Sequence, residues 1–395
     1  TLLLNLKATR TKRIAVRVLI VKVSSLGDII HTLPAITDAR RARPDIVFDW
    51  VVEENFVEVP SWHPAVDRVI PVAFRRWRKK PFRSLGGIEF KKFKDDIKRE
   101  HYDLVIDAQG LIKSGFISRL SRGLTVGLSD STVREPLATL FYNKVYSVPK
   151  TEHAVDRVRQ LFSRALQYEY NPRTIDYGVS QDIIADQTAS AVKANGATND
   201  AKQVVFLHGT TWATKHWPVD FWCTLAQHAA SAGFEVLLPW GDEAERSRAD
   251  HIAQITGATV LPKLSLSGLA TQLASVSGVI AVDTGLGHLA AALARPTLSL
   301  YGPTDPGLSG TYGVSQKHLC STFACAPCLK KTCAYKGPAV LDNDNTVAPP
   351  CFSTHPPASV WQTFEALLAE AALGRPKSYY DTSGYDNSNN GSTGK

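Results

Sequence analysis

No uninterrupted apolar run in this chain approaches the ~20 residues needed to cross a bilayer, so no membrane-spanning helix is expected. Methionine is absent altogether, an absence with no physical account. The opening TLLLNLKATRTKRIA sets a short apolar patch before basic residues, the reverse of a secretory signal, and a cytoplasmic location is expected. Charge is not extreme: 45 basic against 37 acidic residues give +8. That excess suits an anionic partner without choosing among nucleic acid, anionic lipid and a phosphorylated small molecule. What is present is a globular composition, 44% hydrophobic and 21% charged, over 395 residues, enough for two domains with their own cores.

The stretch VRVLIVKVSSLGDIIHTLPAITDA, residues 16–39, organises the first half. Val16, Val18, Leu19, Ile20, Val21 and Val23 form the almost continuous apolar run of a strand buried on both faces of a parallel sheet. The run breaks at Ser24-Ser25-Leu26-Gly27-Asp28, and Ile29, Ile30, Leu33 and Ile36 then recur at helical spacing. Ligands of open α/β sheets bind beyond the carboxyl ends of the strands, which makes this turn a place for chemistry. Asp28 suits a general base better than a phosphate ligand. Capping the helix is the alternative role for the same residue.

Further strands are expected at 46–52, 66–72 and 102–108, alternating with helices, which argues for a parallel, doubly wound sheet. The strand at 102–108 ends in Gln109-Gly110-Leu111-Ile112-Lys113, a turn resembling the first. The run Arg75-Arg76-Trp77-Arg78-Lys79-Lys80 reads either as a solvated face or as an arginine grip on phosphate. A polar stretch at 168–173 is a plausible hinge, and an amphipathic segment lies near 181–194. The βα alternation then resumes with strands at 204–208, 236–240 and 278–283, so a second doubly wound domain facing the first across a cleft is expected.

Three turns of the second half suit that cleft. His208-Gly209-Thr210-Thr211, followed by Lys215, offers hydroxyls and an ammonium to a pyrophosphate. Trp240 to Arg246 offers carboxylates to a ribose diol, or simply an acidic first turn to a helix. Asp283-Thr284-Gly285-Leu286-Gly287-His288 ends a strand in a carboxylate and opens an alanine-rich helix whose N–H groups form an anion site. Its glycine spacing is not the dinucleotide fingerprint, and His288 reads first as a packed histidine.

VKVSSLGDIIHTLP, DAQGLIKS, HGTTWATKHWP and VDTGLGHLAAAL, in this order, resemble the bacterial lipopolysaccharide heptosyltransferases, and among them the branch that adds the first heptose to the Kdo sugars of lipid A. The likeness runs from about Val16 to about Gly313. It implies a GT-B fold, two Rossmann-like doubly wound domains facing a central cleft. It also implies inverting, metal-independent transfer of L-glycero-D-manno-heptose from ADP-heptose to Kdo2-lipid A, by a cytoplasmic enzyme peripheral on the inner membrane, with no cofactor and no nucleic acid. On this resemblance Asp28 is the catalytic base and Lys215 its catalytic partner. Thr210, Thr211 and Lys215 hold the donor's phosphates, Glu243 lies near the nucleoside, and Asp283, Thr284, Gly285, Leu286 and His288 form the donor segment. Ser24, Ser25, Arg75, Arg76, Arg78, Lys79, Lys113 and Arg134 meet the anionic acceptor. A transferase for a later core heptose, and a non-catalytic GT-B nucleotide-sugar or lipid binder, are the competing expectations.

The implied organisation is a basic lead (1–15), an acceptor-binding domain (16–172), a nucleotide-sugar-binding domain (173–358), a helix packing back on the first domain (359–374) and a disordered tail (378–395). A cysteine-rich insert interrupts the second domain at 320–351. Related heptosyltransferases often carry such an insert here. Cys325 and Cys328 have knuckle spacing, and Cys333 and Cys351 complete four possible thiolate ligands of a structural metal; disulfides and free thiols account for the same residues. Asp342-Asn343-Asp344 formally resembles a metal-binding DxD but reads as turn chemistry.

Overall fold

Two parallel sheets carry the chain, because its most apolar short runs leave no polar face for water. A computed structural model describes residues 15–79, 87–179, 202–342 and 345–374. Lys80, the segment near 181–194, Asn343, Asp344, the 378–395 tail and all but the last residue of the basic lead lie outside the described residues.

The first sheet has the order β3-β2-β1-β4-β5-β6, from β1 (Val16–Val21), β2 (Ile46–Glu53), β3 (Val66–Val72), β4 (Leu104–Asp107), β5 (Thr125–Leu128) and β6 (Lys144–Tyr146). The second has the order β12-β11-β10-β7-β8-β9, from β7 (Lys202–Leu207), β8 (Phe234–Leu238), β9 (Thr259–Val260), β10 (Gly278–Val282), β11 (Thr297–Tyr301) and β12 (Gln316–Cys320). Every pairing in both sheets is parallel. Numbered within its own half, each sheet runs 3-2-1-4-5-6, the doubly wound order whose switch point lies between the first and fourth strands. The register puts Val21 level with Asp107, and Leu207 level with Ala281. The turns after β1, β4, β7 and β10 therefore leave the sheets at the two switch points, while Trp240–Arg246 follows β8.

Each half has its own core. Leu19, Val21, Val51, Val72, Phe93 and Ile117 are buried in the first. Phe206, Trp222, Leu238, Ile280, Leu300 and Phe364 are buried in the second. By contacts the chain divides into one unit of 1–24, 32–150 and 157–170, and another of 25–31, 151–156 and 171–395. The second unit thus takes in two short segments that precede the boundary expected at 172. Residues 25–31 join the second unit because the helix Leu26–Ile30 packs on the helix Gly285–Ala292. Residues 151–156 join it because His153 bonds Gly310, and Asp156 accepts from the Tyr312 hydroxyl at 2.7 Å.

The C-terminal helix Pro357–Ala372 buries Val360, Trp361, Phe364 and Leu367 in the second unit's core, against the helix Val219–Ser231 and β11. Phe364 and Leu368 close over Gly278, where a Cβ would stand 2.8 and 2.7 Å from them. Amphipathic spacing showed that one face is buried but not which core receives it. Phe364 is fully buried. Phe364→Ala is expected to lower the unfolding free energy by about 3–5 kcal/mol in urea titrations. A loss below ~1 kcal/mol would remove this helix from the core.

Candidate active site

Asp28 stands third in the helix Leu26–Ile30, and its Oδ2 accepts from the Ser25 N–H at 3.0 Å and the Ser25 hydroxyl at 3.1 Å. Both bonds reach back one turn, so Asp28 does cap its helix, as a capping-box residue rather than as the N-cap itself. The same bonds fix the carboxylate in one orientation, which a general base also needs.

Close packing in the second unit decides what this helix faces. A Cβ at Gly27 would lie 2.6 Å from His288 Cδ2, and one at Gly285 would lie 2.9 Å from Leu26 Cβ. Glycine at both positions lets the two helices approach backbone to side chain. His288 is buried, and its Nδ1 shares a hydrogen bond of 3.0 Å with His31 Nε2. Burial lowers the His288 pKa, while the carboxylates of Asp283 and Asp28 pull it up and Lys215 adds to the lowering. The buried imidazole thus feels the charges of Asp28, Asp283 and Lys215, residues far apart in sequence. His288 is the packed histidine the sequence suggested.

Asp283 follows β10 and ties down the turn after β7. Its Oδ2 takes Lys215 Nζ at 2.6 Å and the Thr304 hydroxyl at 2.6 Å, and its carbonyl accepts from Thr210 Oγ1 at 2.9 Å. Lys215 Nζ also lies 4.4 Å from the centre of the Trp212 ring. Thr284 is the N-cap of Gly285–Ala292, with its side chain making no capping bond, and Leu286 is half-buried beside it. The N–H groups of that first turn, Lys215 and Thr210 are donors of the kind that suit an anion. Thr211, next in sequence, is exposed.

Glu243 is exposed on the first turn of the helix Glu243–Thr256. The carboxylate that faces the turn after β7 belongs to Glu245: its Oε2 accepts from Gly241 N–H at 2.8 Å, and a Cβ on Gly209 would stand 2.3 Å from its Oε1. Asp242 caps the helix by accepting from Glu245 N–H at 2.9 Å. The Asp-x-x-Glu spacing was the available signal.

In the first unit the acceptor candidates divide. Arg75 and Lys113 both face the buried Glu53, whose carboxyl burial pushes up while the Arg75 N–H and then the two cations pull it down. Lys113 opens the helix Ile112–Leu120, whose first N–H bonds Glu135 at 2.7 Å next to the exposed Arg134. Arg78 and Lys79 are exposed. Arg76 is already spanned by Glu54 at 3.1 Å and Glu89 at 2.7 Å, so its grip is spent on carboxylates. Trp77 is buried among Phe74, Phe90 and Phe93 and belongs to the core. Ser24 is held through its N–H by Gln109 Oε1 at 3.0 Å, which takes the Val23 N–H as well. Gln109 is thus a clamp on the first turn that the sequence did not assign.

None of the six cysteines, all among the described residues, is in a disulfide. Cys325, Cys328, Cys333 and Cys351 line one small cavity. Among the described residues no three His, Cys, Asp or Glu side chains already stand in metal-holding geometry.

A strand-end carboxylate, a hydroxyl and lysine turn, and a helix N-terminus at a switch point make up the kind of donor set that doubly wound proteins present to phosphorylated ligands. A family model described as glycosyltransferase family 9 (heptosyltransferase) matches residues 90–338. The chain is 52% identical to lipopolysaccharide heptosyltransferase 1 of Pseudomonas aeruginosa over 358 residues, 89% of this chain and 98% of that protein. It is 49% identical to the Escherichia coli K12 enzyme of the same name over 302 residues, 76% of this chain and 92% of the other. Among solved structures, E. coli heptosyltransferase WaaC with ADP aligns with a TM-score of 0.75 and 43% identity, over 89% of this chain and 99% of that one. WaaC with ADP-2-deoxy-2-fluoro heptose gives 0.73 and 42% over the same shares. The chain belongs to glycosyltransferase family 9, and its fold is of the GT-B type.

A buried histidine beside the site gives a pH test. His153 Nε2–H donates to the Gly310 carbonyl at 3.2 Å and its Nδ1 accepts from Val155 N–H at 3.2 Å, a pairing that fits the neutral ring. Burial, with His288 close by, pushes its pKa down to about 3. The unfolded chain, with an ordinary histidine near 6.5, therefore binds the extra proton between those values, and stability falls as pH drops through that window. From pH 7 to 5 this group's share is about 2 kcal/mol. Urea unfolding of His153→Gln is expected to lose that much less between the two pH values; an unchanged pH slope would mean that the histidine is not neutral when folded.

Proposed function

We propose that this chain transfers L-glycero-D-manno-heptose from ADP-heptose to a Kdo hydroxyl of Kdo2-lipid A, with inversion and without a metal at the reacting centre. The observation that carries this reading is the packing of Gly27 on His288 within one unit, where Asp28 and the Asp283–Lys215 pair both act on that buried imidazole. Support also comes from the relatives, which are named for lipopolysaccharide heptose transfer, and from WaaC solved with a donor analogue.

In this reading Asp28 takes the proton of the acceptor hydroxyl as its oxygen attacks the anomeric carbon. The bond from that carbon to the diphosphate breaks on the opposite face, and ADP leaves. The transition state has oxocarbenium character and a growing charge on the leaving phosphate. Lys215 and the N–H groups opening Gly285–Ala292 neutralise that charge, with Thr210 and Thr211 orienting the phosphates. Asp283, Thr284, Leu286 and His288 line the heptose side, and Glu243 with its neighbour Glu245 serves the nucleoside. Arg75, Arg78, Lys79, Lys113 and Arg134 meet the phosphates and carboxylates of the acceptor, and Ser24 and Ser25 its hydroxyls. Arg76 instead braces the loop. The enzyme works at the cytoplasmic face of the inner membrane, where its acceptor is anchored.

The test is mass spectrometry of heptose transfer from ADP-heptose to Kdo2-lipid A with chelator present. Asp28→Asn is expected to cut turnover by about 10²–10⁴-fold with ADP-heptose binding retained. Undiminished turnover would remove Asp28 from the centre, and no product from the unaltered enzyme would move the acceptor to a later core sugar. A second expectation concerns the basic loop. Arg75→Glu with Arg78→Glu should raise the acceptor KM roughly tenfold or more per charge while the donor KM stays put. Equal effects on both substrates would overturn that assignment.

A further inference from the structure

Five of the six cysteines lie between 320 and 351, and the reaction derived above uses none of them. Four of these, Cys325, Cys328, Cys333 and Cys351, line a single cavity of about 10 Å³, while Cys320 does not reach it. That volume holds about one water molecule or one ion. The remaining lining residues are Thr214, Gly302, Pro303, Ala326, Pro349 and Pro350, so no carboxylate or imidazole competes with sulfur. A purely thiol donor set excludes hard cations such as Mg²⁺ and Ca²⁺ and selects a soft, tetrahedral one.

The surrounding segment needs such a staple. From 321 to 342 the chain is mostly exposed, with Leu329 60% and Leu341 59% accessible, and it builds no core of its own. Its regular structure among the described residues is one pairing of two-residue strands, Leu341–Asp342 with Asn345–Thr346. Ordered segments with so little to bury are usually held by disulfides or a metal. No disulfide is present.

We propose that Cys325, Cys328, Cys333 and Cys351 bind one structural thiophilic ion of the Zn²⁺ or Fe²⁺ class. The four cysteines line one cavity, while among the described residues no group of three His, Cys, Asp or Glu could hold a metal ion as it stands. Protonated thiols have no reason to converge. An ion supplies that reason: it displaces the four thiol protons to solvent and forms four metal–sulfur bonds, with no change of oxidation state. The ion would brace the donor turn as well, since Thr214 lines the cavity, its hydroxyl bonds the Lys330 carbonyl at 2.6 Å, and it directly precedes Lys215.

Elemental analysis of the full-length protein, purified under reducing conditions and after exposure to Zn²⁺, tests this. About one equivalent of zinc or iron per chain is expected, falling at least fivefold in Cys328→Ser and Cys333→Ser and unchanged in Cys320→Ser. Because a cavity variant can misfold, the unaltered protein is also reconstituted with Co²⁺. A tetrathiolate charge-transfer spectrum, and thiols that resist alkylation until a mercurial releases the ion, are expected. A chain that takes up no ion and alkylates at every accessible cysteine overturns the proposal. So does metal retained by Cys328→Ser, or a disulfide among these four in the mass spectrum.

Discussion

A side chain at position 27 would collide with the His288 ring, and that close approach determines where Asp28 stands. The helix carrying it has five residues, too few to be stable alone. It is held by its capping box, by Leu26 packed on Gly285, and by the His31–His288 bond. The capping role of Asp28 fixes its carboxylate in one orientation, the same constraint that the proposed role as base requires.

The electrostatics of the second unit follow from the same packing. His288 and His153 are buried and His318 is half-buried, and desolvation lowers the pKa of all three, which favours their neutral rings. Lys215 is held at the site through Asp283, which Thr304 also binds. A strongly hydrated ammonium beside a carboxylate is a point charge that a phosphate can share, whereas neutral imidazoles add no competing positive charge.

Much of the fold could be read from unbroken apolar runs. Val16–Val21, Leu104–Asp107 and Gly278–Val282 have no alternation because both faces of each strand are covered. The turns after β1, β7 and β10 were also legible, since each sets polar residues at the carboxyl end of such a run. What was not legible depends on partners distant in sequence. Arg76 looked like its neighbours until Glu54 and Glu89, 22 and 13 residues away, claimed it. His31 and His288 are 257 positions apart. Glu243 and Glu245 differ only in which way the first helical turn points them, and the amphipathic pattern of Pro357–Ala372 carries no address for its buried face.

The division of the chain separates two constraints. Residues 25–31 group with the unit whose core is built on β7, β8, β10 and β11, whereas Arg75 to Lys79 follow β3 in the unit with the other core. The packing that holds the Asp28 helix and the packing around Trp77 thus belong to separate units, each with its own apolar contacts to satisfy.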